Sequence, residues 1–190
     1  MSNPLTNPLS NDPSHGDHPL AQPIGFQAAM ALTSQWLEEW EQDELSDEVL
    51  AERVGDLVAS RDGARGFFVV AMAGEGPLMD RMPEALIQCL RLAGEGVVDL
   101  TAKNLAMGTA MAVHHERNQD GVSAQASQRV SERSRSLLRL LEPNLVKLRL
   151  ESLLAGTRGE GQDVDFLERW GYDAQQRDQI AAAIEAVAEA

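Results

Sequence analysis

The sequence predicts an all-α fold, a single-domain helical bundle of about seven to nine helices over residues 23–190 behind a disordered N-terminal tail at residues 1–22. Three observations carry this expectation. Aromatic residues make up only 4% of the 190 residues, so alanine and aliphatic side chains must fill the core. Alanine and leucine are strong helix formers and β-branched runs are scarce. Apolar residues recur at helical spacing through most of the chain, and the breaks between these stretches carry helix-stop and helix-start residues. A chain of this length is enough for one domain with a real core.

Residues 1–22 hold Pro4, Pro8, Pro13 and Pro19 among asparagine, serine, aspartate and histidine. Such a segment cannot bury enough apolar surface to offset its ordering entropy. His15 and His18 flank Gly16-Asp17 there and read as solvated side chains. The tail lacks the basic and apolar regions of a signal peptide.

The first helix is expected from near Pro23 to about Asp43. Phe26, Met30 and Leu37 recur on one side, and Trp36 and Trp40 stand four apart. Its end is very acidic (Glu38, Glu39, Glu41, Asp43, Glu44), which opposes the helix macrodipole. Ser46 reads as the N-cap of a second helix, with Asp47 and Glu48 in its first turn. Val49, Leu50, Val54, Leu57 and Val58 give that helix its period, and it stops near Ser60. Phe67–Ala73 has the propensity of a buried strand. No comparable run exists to pair with it, and a lone strand leaves its backbone groups unsatisfied. The preferred reading is a short buried helix started by Asp62, with strand as the alternative.

After Gly74-Glu75-Gly76-Pro77 a fourth helix is expected to start with Pro83 at its first position and end with Gly94 at C′. The fifth, about Val97 to Asn118, is the expected centre of the core. Its Ala102, Ala106 and Ala110 form a stripe of small residues that admits a close neighbour. The sixth spans about Ser123 to Leu141, and the seventh runs from Pro143 to about Ala155. Gly156, Gly159 and Gly161 mark a loop. Phe166, Leu167 and Trp170 form a short helix ended by Gly171. Asp173 caps the last helix, with Gln176 completing a capping box and Ile180, Ile184 and Val187 facing inward.

The net charge of −14 disfavours nucleic acid and anionic lipid as partners. The charge is uneven. Between Lys103 and Glu151 there are eight basic residues against five acidic ones, a net of +3, which leaves −17 for the rest. The longest strongly apolar stretch, Phe67 to Ala73, is far too short to span a bilayer, so no transmembrane segment is expected and a cytoplasmic location is. Cys89, the sole cysteine, reads as a buried thiol acting as a small hydrophobe.

Two polar clusters stand out. His114-His115-Glu116-Arg117-Asn118 closes the fifth helix, where histidine and arginine complement the dipole. Metalloprotease helices need histidines four apart. Adjacent histidines point about 100° apart on a helix and cannot share one ion, so no metal or other cofactor is expected. Arg129, Arg133, Arg135 and Arg139 punctuate the sixth helix among serines 127, 131, 134 and 136. Arginine with serine suits carboxylate or phosphate. The competing reading is a solvated face whose arginines pair with the acidic first and second helices of the same molecule. Gly-Glu-Gly occurs at 74–76, 94–96 and 159–161. A central glutamate repels phosphate and no Walker lysine follows, so these are loops and caps.

Arg65-Gly66-Phe67-Phe68-Val69-Val70, Lys103-Asn104-Leu105-Ala106-Met107 through His114-His115-Glu116-Arg117-Asn118, and Phe166-Leu167-Glu168-Arg169-Trp170-Gly171-Tyr172 together resemble uncharacterised proteins of cyanobacteria over roughly residues 25–185. The resemblance implies a cytoplasmic helical protein and carries no activity.

The leading expectation is therefore a helical protein-binding or regulatory factor, acting through the surface of its fifth and sixth helices on a partner protein with an acidic surface. His114, His115, Arg117, Asn118, Arg129 and Arg133 are the expected contact residues. On this reading, charge reversal at Arg129 and Arg133 removes a partner without unfolding the domain. The alternative is an enzyme or small-molecule binder using His114 or His115, which requires a deep pocket at the end of the fifth helix. A homo-oligomer stays open.

Overall fold

A computed structural model describes residues 24–188, and among them it contains nine α-helices and no strand. The expected tail at residues 1–22 lies outside the described residues. The helices are α1 (Phe26–Glu41), α2 (Asp47–Val58), α3 (Arg61–Ala73), α4 (Glu84–Leu92), α5 (Glu95–Arg117), α6 (Gly121–Leu140), α7 (Pro143–Thr157), α8 (Val164–Arg169) and α9 (Ala174–Ala188).

Local chemistry sets most of these boundaries. The Ser46 hydroxyl accepts from the Val49 amide at 3.3 Å and starts α2 as expected. Phe67–Ala73 is helical, which settles its ambiguity, but the cap differs. Ser60, not Asp62, accepts from the Gly63 amide at 3.0 Å, and Asp62 lies inside the first turn. Pro83 stands at the N-cap of α4 and not at its first helical position. Asp120 starts α6 by accepting from the Ser123 amide. At α9 the capping box is complete: the Gln176 amide donates to Asp173, and the Asp173 amide donates to the Gln176 side chain.

α5 is the central helix, as its composition predicts. It packs most extensively on α6 and also meets α9, α7 and α3. Ala102, Ala106 and Ala110 are fully buried. The closest approach of α6 is elsewhere on the helix, about 200° round from Ala106. A Cβ on Gly108 would stand 2.9 Å from the Ser131 amide nitrogen and 3.0 Å from the Ser127 carbonyl oxygen. Thr109 and Ser131 share a hydrogen bond of 2.8 Å beside this crossing. Gly66 plays the same part where α1 lies on α3: its Cβ would meet that of Ala29 at 2.5 Å. The pair α1–α3 and the pair α2–α4 build the N-terminal half, and α3 joins it to α5 and α6. One apolar core runs through both halves, from Ala29 to Val187. Cys89 is half-buried against that core rather than enclosed, and burial pushes its thiol up from the ordinary range.

The acidic end of α1 finds its cation locally. Arg53 of α2 reaches Glu39 at 3.2 Å, and the Trp40 indole donates to Asp47 at 2.7 Å. The arginines of α6 do not go there. The expectation that they pair with the acidic first and second helices is corrected by the arrangement around the end of α3.

Candidate functional site

Helix α3 ends without a basic residue in its last turn, and its C-cap Gly74 is extended. The carbonyls of a helix C-terminus have no partner within the helix. Arg133, arriving from α6, supplies one. Its Nη1 donates to the carbonyls of Ala71 and Met72, each at 3.1 Å, and of Gly74 at 2.7 Å. Its Nη2 donates to the Gly76 carbonyl at 2.9 Å and to Asp80 at 2.6 Å, while Nε donates to Asp80 at 2.9 Å. The side chain is 4% exposed. The first Gly-Glu-Gly is thus a carbonyl cradle for a guanidinium. The hydrogen bonds from Arg133 hold the Asp80 carboxyl below its ordinary range.

The same device recurs. Arg139 donates to the Ala186 and Val187 carbonyls in the last turn of α9, and Arg91 of α4 donates to the Leu140 carbonyl at the end of α6. Three helix ends are closed by arginines from other helices, each meeting the negative end of a dipole.

Arg129 and Arg135 remain. Arg129 makes one long hydrogen bond, 3.5 Å to the Gly74 carbonyl, and no ion pair with any described residue. Arg135 is half-buried, and its Nε is enclosed with no hydrogen-bond partner among the described residues. Both side chains line a cleft of about 390 Å³. Its walls are α6, α4 and the segment between α3 and α4, which contributes Met79 and Met82.

The six residues singled out in the sequence are not gathered into one site. Arg129 stands about 12 Å along the α6 axis from the start of that helix at Gly121, at 1.5 Å per residue, well away from the α5 end. His114 is exposed and its Nε2 lies 3.1 Å from the Asn118 amide nitrogen. His115 turns to Asp120, with 3.7 Å from Nδ1 to the carboxylate. Arg117 forks onto Asp173 at 2.5 and 3.2 Å and reaches Gln175 at 2.6 Å, tying the end of α5 to the start of α9. The hydrogen bonds from Arg117 and from the Gln176 amide bring the Asp173 carboxyl down to about 2.

Two other clefts stand out, one beside Trp40 and one between α6, α7 and α9. Neither imidazole lines any of the three. No group of three or more histidine, cysteine, aspartate or glutamate side chains is placed to hold a metal ion among the described residues. No helix among them is long and apolar enough to cross a membrane.

One polar centre is invisible in the sequence. Arg149 of α7 donates through Nε to Asp99 at 2.7 Å and through both Nη atoms to Asp163 at 2.7 and 2.8 Å. Ser152 also donates to Asp163, and Lys103 to Asp99. This fork pins the glycine loop after α7 against α5. Its one local signal is Gly156, where a Cβ would stand 2.8 Å from that of Asp163.

A family model described as "Uncharacterised conserved protein UCP020893" matches residues 25–187. No curated protein and no solved structure matches the chain. The chain belongs to that uncharacterised family, in keeping with its resemblance to uncharacterised proteins; a cyanobacterial source is not part of the match.

Proposed function

We propose that this member of the family is a cytoplasmic regulatory or scaffold factor that binds another protein through the surface of α5 and α6. The observation that carries the reading is the state of Arg129. Seven of the sixteen lysine and arginine side chains reach a carboxylate of the described chain within 4 Å. Arg129 is one of the nine without an ion pair among the described residues, although its charge helps to lower the Asp80 carboxyl, and what sets it apart is that it stands with Arg135 on the wall of a cleft. A guanidinium in that position is matched by an acidic protein surface, which supplies carboxylates in the planar geometry that arginine recognises. His114, His115 and Asn118 at the tip of the α5–α6 hairpin, with Arg117 beside them, provide a second polar patch for the same partner. Arg133 supports the surface from inside, since its donors are already engaged.

The engagement of Arg133 changes the test. Reversing its charge would strip α3 of its cap, so Arg129 alone carries the substitution. Affinity purification from the native cell, followed by mass spectrometry, is expected to recover a partner with the wild-type chain. Arg129→Glu is expected to lose it with circular dichroism and thermal melting unchanged. A partner retained equally by Arg129→Glu and by a further variant replacing His114 and Asn118 with alanine would remove this surface from consideration.

A further inference from the structure

Helix α6 carries two arginines whose guanidinium groups the fold leaves under-used, and they share one cleft. Arg135 is the sharper case. Its Nε–H is enclosed by protein atoms and has no acceptor among the described residues. An enclosed donor without an acceptor is costly, and with Nε closed off it is the rest of the half-buried Arg135 side chain that lines the cleft. Neighbouring arginines show that acceptors are available to this helix, because Arg133 and Arg139 each find backbone carbonyls.

The cleft also has an apolar side. Met79 and Ile87 are buried in its wall, and Met82 and Leu140 are half-buried beside them. Carboxylates are present too: Asp80 feels the charge of Arg129, but no carboxylate of the described residues reaches Arg129 or Arg135 within ion-pair distance. Asp80 is held bidentate by Arg133, and Glu132 on the rim forms no ion pair with either arginine.

We infer that this cleft is the anchor point for the protein partner, and that it receives a carboxylate side chain flanked by an aliphatic residue from an acidic segment of that partner. The carboxylate lies across Arg135 and Arg129, the planar pairing that favours arginine over lysine. The aliphatic residue lies on the half-buried Met82 and Leu140, where the thioether side chain of Met82 adapts to irregular shapes. The occupant is an acidic and apolar peptide rather than a free anion, because four of the ten lining residues are apolar. This inference rests on the protein-binding reading above and adds Arg135, which that reading does not use.

The test uses the full chain and a fluorescein-labelled peptide, Gly-Ser-Glu-Leu-Glu-Leu-Ser-Gly. Two controls replace its glutamates by glutamine or its leucines by serine. In fluorescence anisotropy the parent peptide is expected to bind about tenfold more tightly than either control, the size of one charge-assisted contact. Arg135→Met, which keeps the aliphatic stem, and Arg135→Lys, which keeps the charge, are both expected to weaken it about tenfold. In nitrogen-edited NMR spectra the Nε–Hε signal of Arg135 is expected to move on titration.

Equal binding of the glutamine peptide, or an unmoved Arg135 signal, overturns the inference. Inorganic phosphate displacing the peptide at equal concentration also overturns it, in favour of a small-anion site. The two readings fail separately. If Arg129→Glu loses the native partner while Arg135→Met keeps it, the protein-binding reading stands and this anchor falls. If the peptide binds as expected and no native partner is recovered, the cleft chemistry stands and the protein-binding reading falls.

Discussion

Arg133 on α6 and Arg149 on α7 are both drawn inside the molecule, 4% and 12% exposed. They are satisfied in opposite ways. Arg133 gives most of its hydrogen bonds to backbone carbonyls around the end of α3, and its one carboxylate, Asp80, is half-exposed. Arg149 gives its hydrogen bonds to two carboxylates, one of them the buried Asp163. The first arginine completes a helix; the second fastens a loop. Carbonyls belong to the backbone and no substitution removes them, so the centre around Arg133 depends on Arg133 alone. The centre around Arg149 depends equally on residues at either end of its hydrogen bonds.

The largest effect should come from breaking the first centre. Arg133→Met leaves the carbonyls of Ala71, Met72, Gly74 and Gly76 without their cap in a largely enclosed site. A loss of about 4 kcal/mol is expected, from several enclosed carbonyls left without a donor at about 1 kcal/mol or more each, measured by urea denaturation. Asp163→Ala should cost somewhat less, about 3 kcal/mol, because Arg149 keeps Asp99. The contrast sharpens at the carboxylates. Asp80→Ala should cost at most about 1 kcal/mol, since that side chain is half-exposed and the carbonyls remain. If Asp80→Ala proves as damaging as Arg133→Met, the carbonyl cap is not what holds the end of α3.

This contrast also shows why some features are legible in the sequence and others are not. The Asp173–Gln176 capping box lies within one helical turn, so its chemistry is written in adjacent letters. The buried alanine stripe of α5 follows from period alone. Arg133 was visible as a member of a basic cluster, but its acceptors lie more than fifty residues away and are main-chain carbonyls. A carbonyl has no residue identity, so no pattern of side chains could announce it. The Arg149 fork failed to show for a related reason. Asp99, Arg149 and Asp163 sit on three different elements, and only the packing of α5 against α7 brings them together. His114, His115, Arg117 and Asn118 stand together in the sequence, but the fold pairs His114 with Asn118 and sends His115 to Asp120 and Arg117 to Asp173.

Acid should separate the two centres by smaller amounts. Burial pushes the Asp99 carboxyl up, but hydrogen bonds from Lys103 and Arg149 outweigh it and hold the group below its ordinary range. Asp80 is lowered in the same direction by Arg133. A carboxyl whose folded pKa lies below its unfolded value of about 4 stabilises the fold above that pH. The contribution is lost as pH falls through the folded value. The carbonyls around Arg133 do not titrate, so acid removes only Asp80 there and leaves the cap. Denaturant unfolding followed from neutral pH down to the acid limb should show a declining stability that Asp99→Asn makes visibly flatter. A slope untouched by Asp99→Asn would mean that the Arg149 centre does not feel protonation at Asp99.

Tyr172 gives the smallest effect and the opposite sign. It is 5% exposed, and its hydroxyl has no hydrogen-bond partner among the described residues, unlike either buried arginine. Burial alone pushes it up to about 12. A folded pKa above the unfolded value of about 10 means that stability is retained below pH 10 and lost as pH rises towards 12, where the unfolded chain ionises first. Tyr172→Phe deletes an enclosed polar atom and keeps the ring in the core. It should be neutral or stabilising by up to about 1 kcal/mol at neutral pH, and it should remove the alkaline loss that belongs to this group. Thermal melting of the two proteins at pH 7 and at pH 11 reads both expectations. A phenylalanine variant clearly less stable than the wild type at pH 7 would mean that the hydroxyl is hydrogen-bonded in solution, and that the fold leaves it no more orphaned than the arginines.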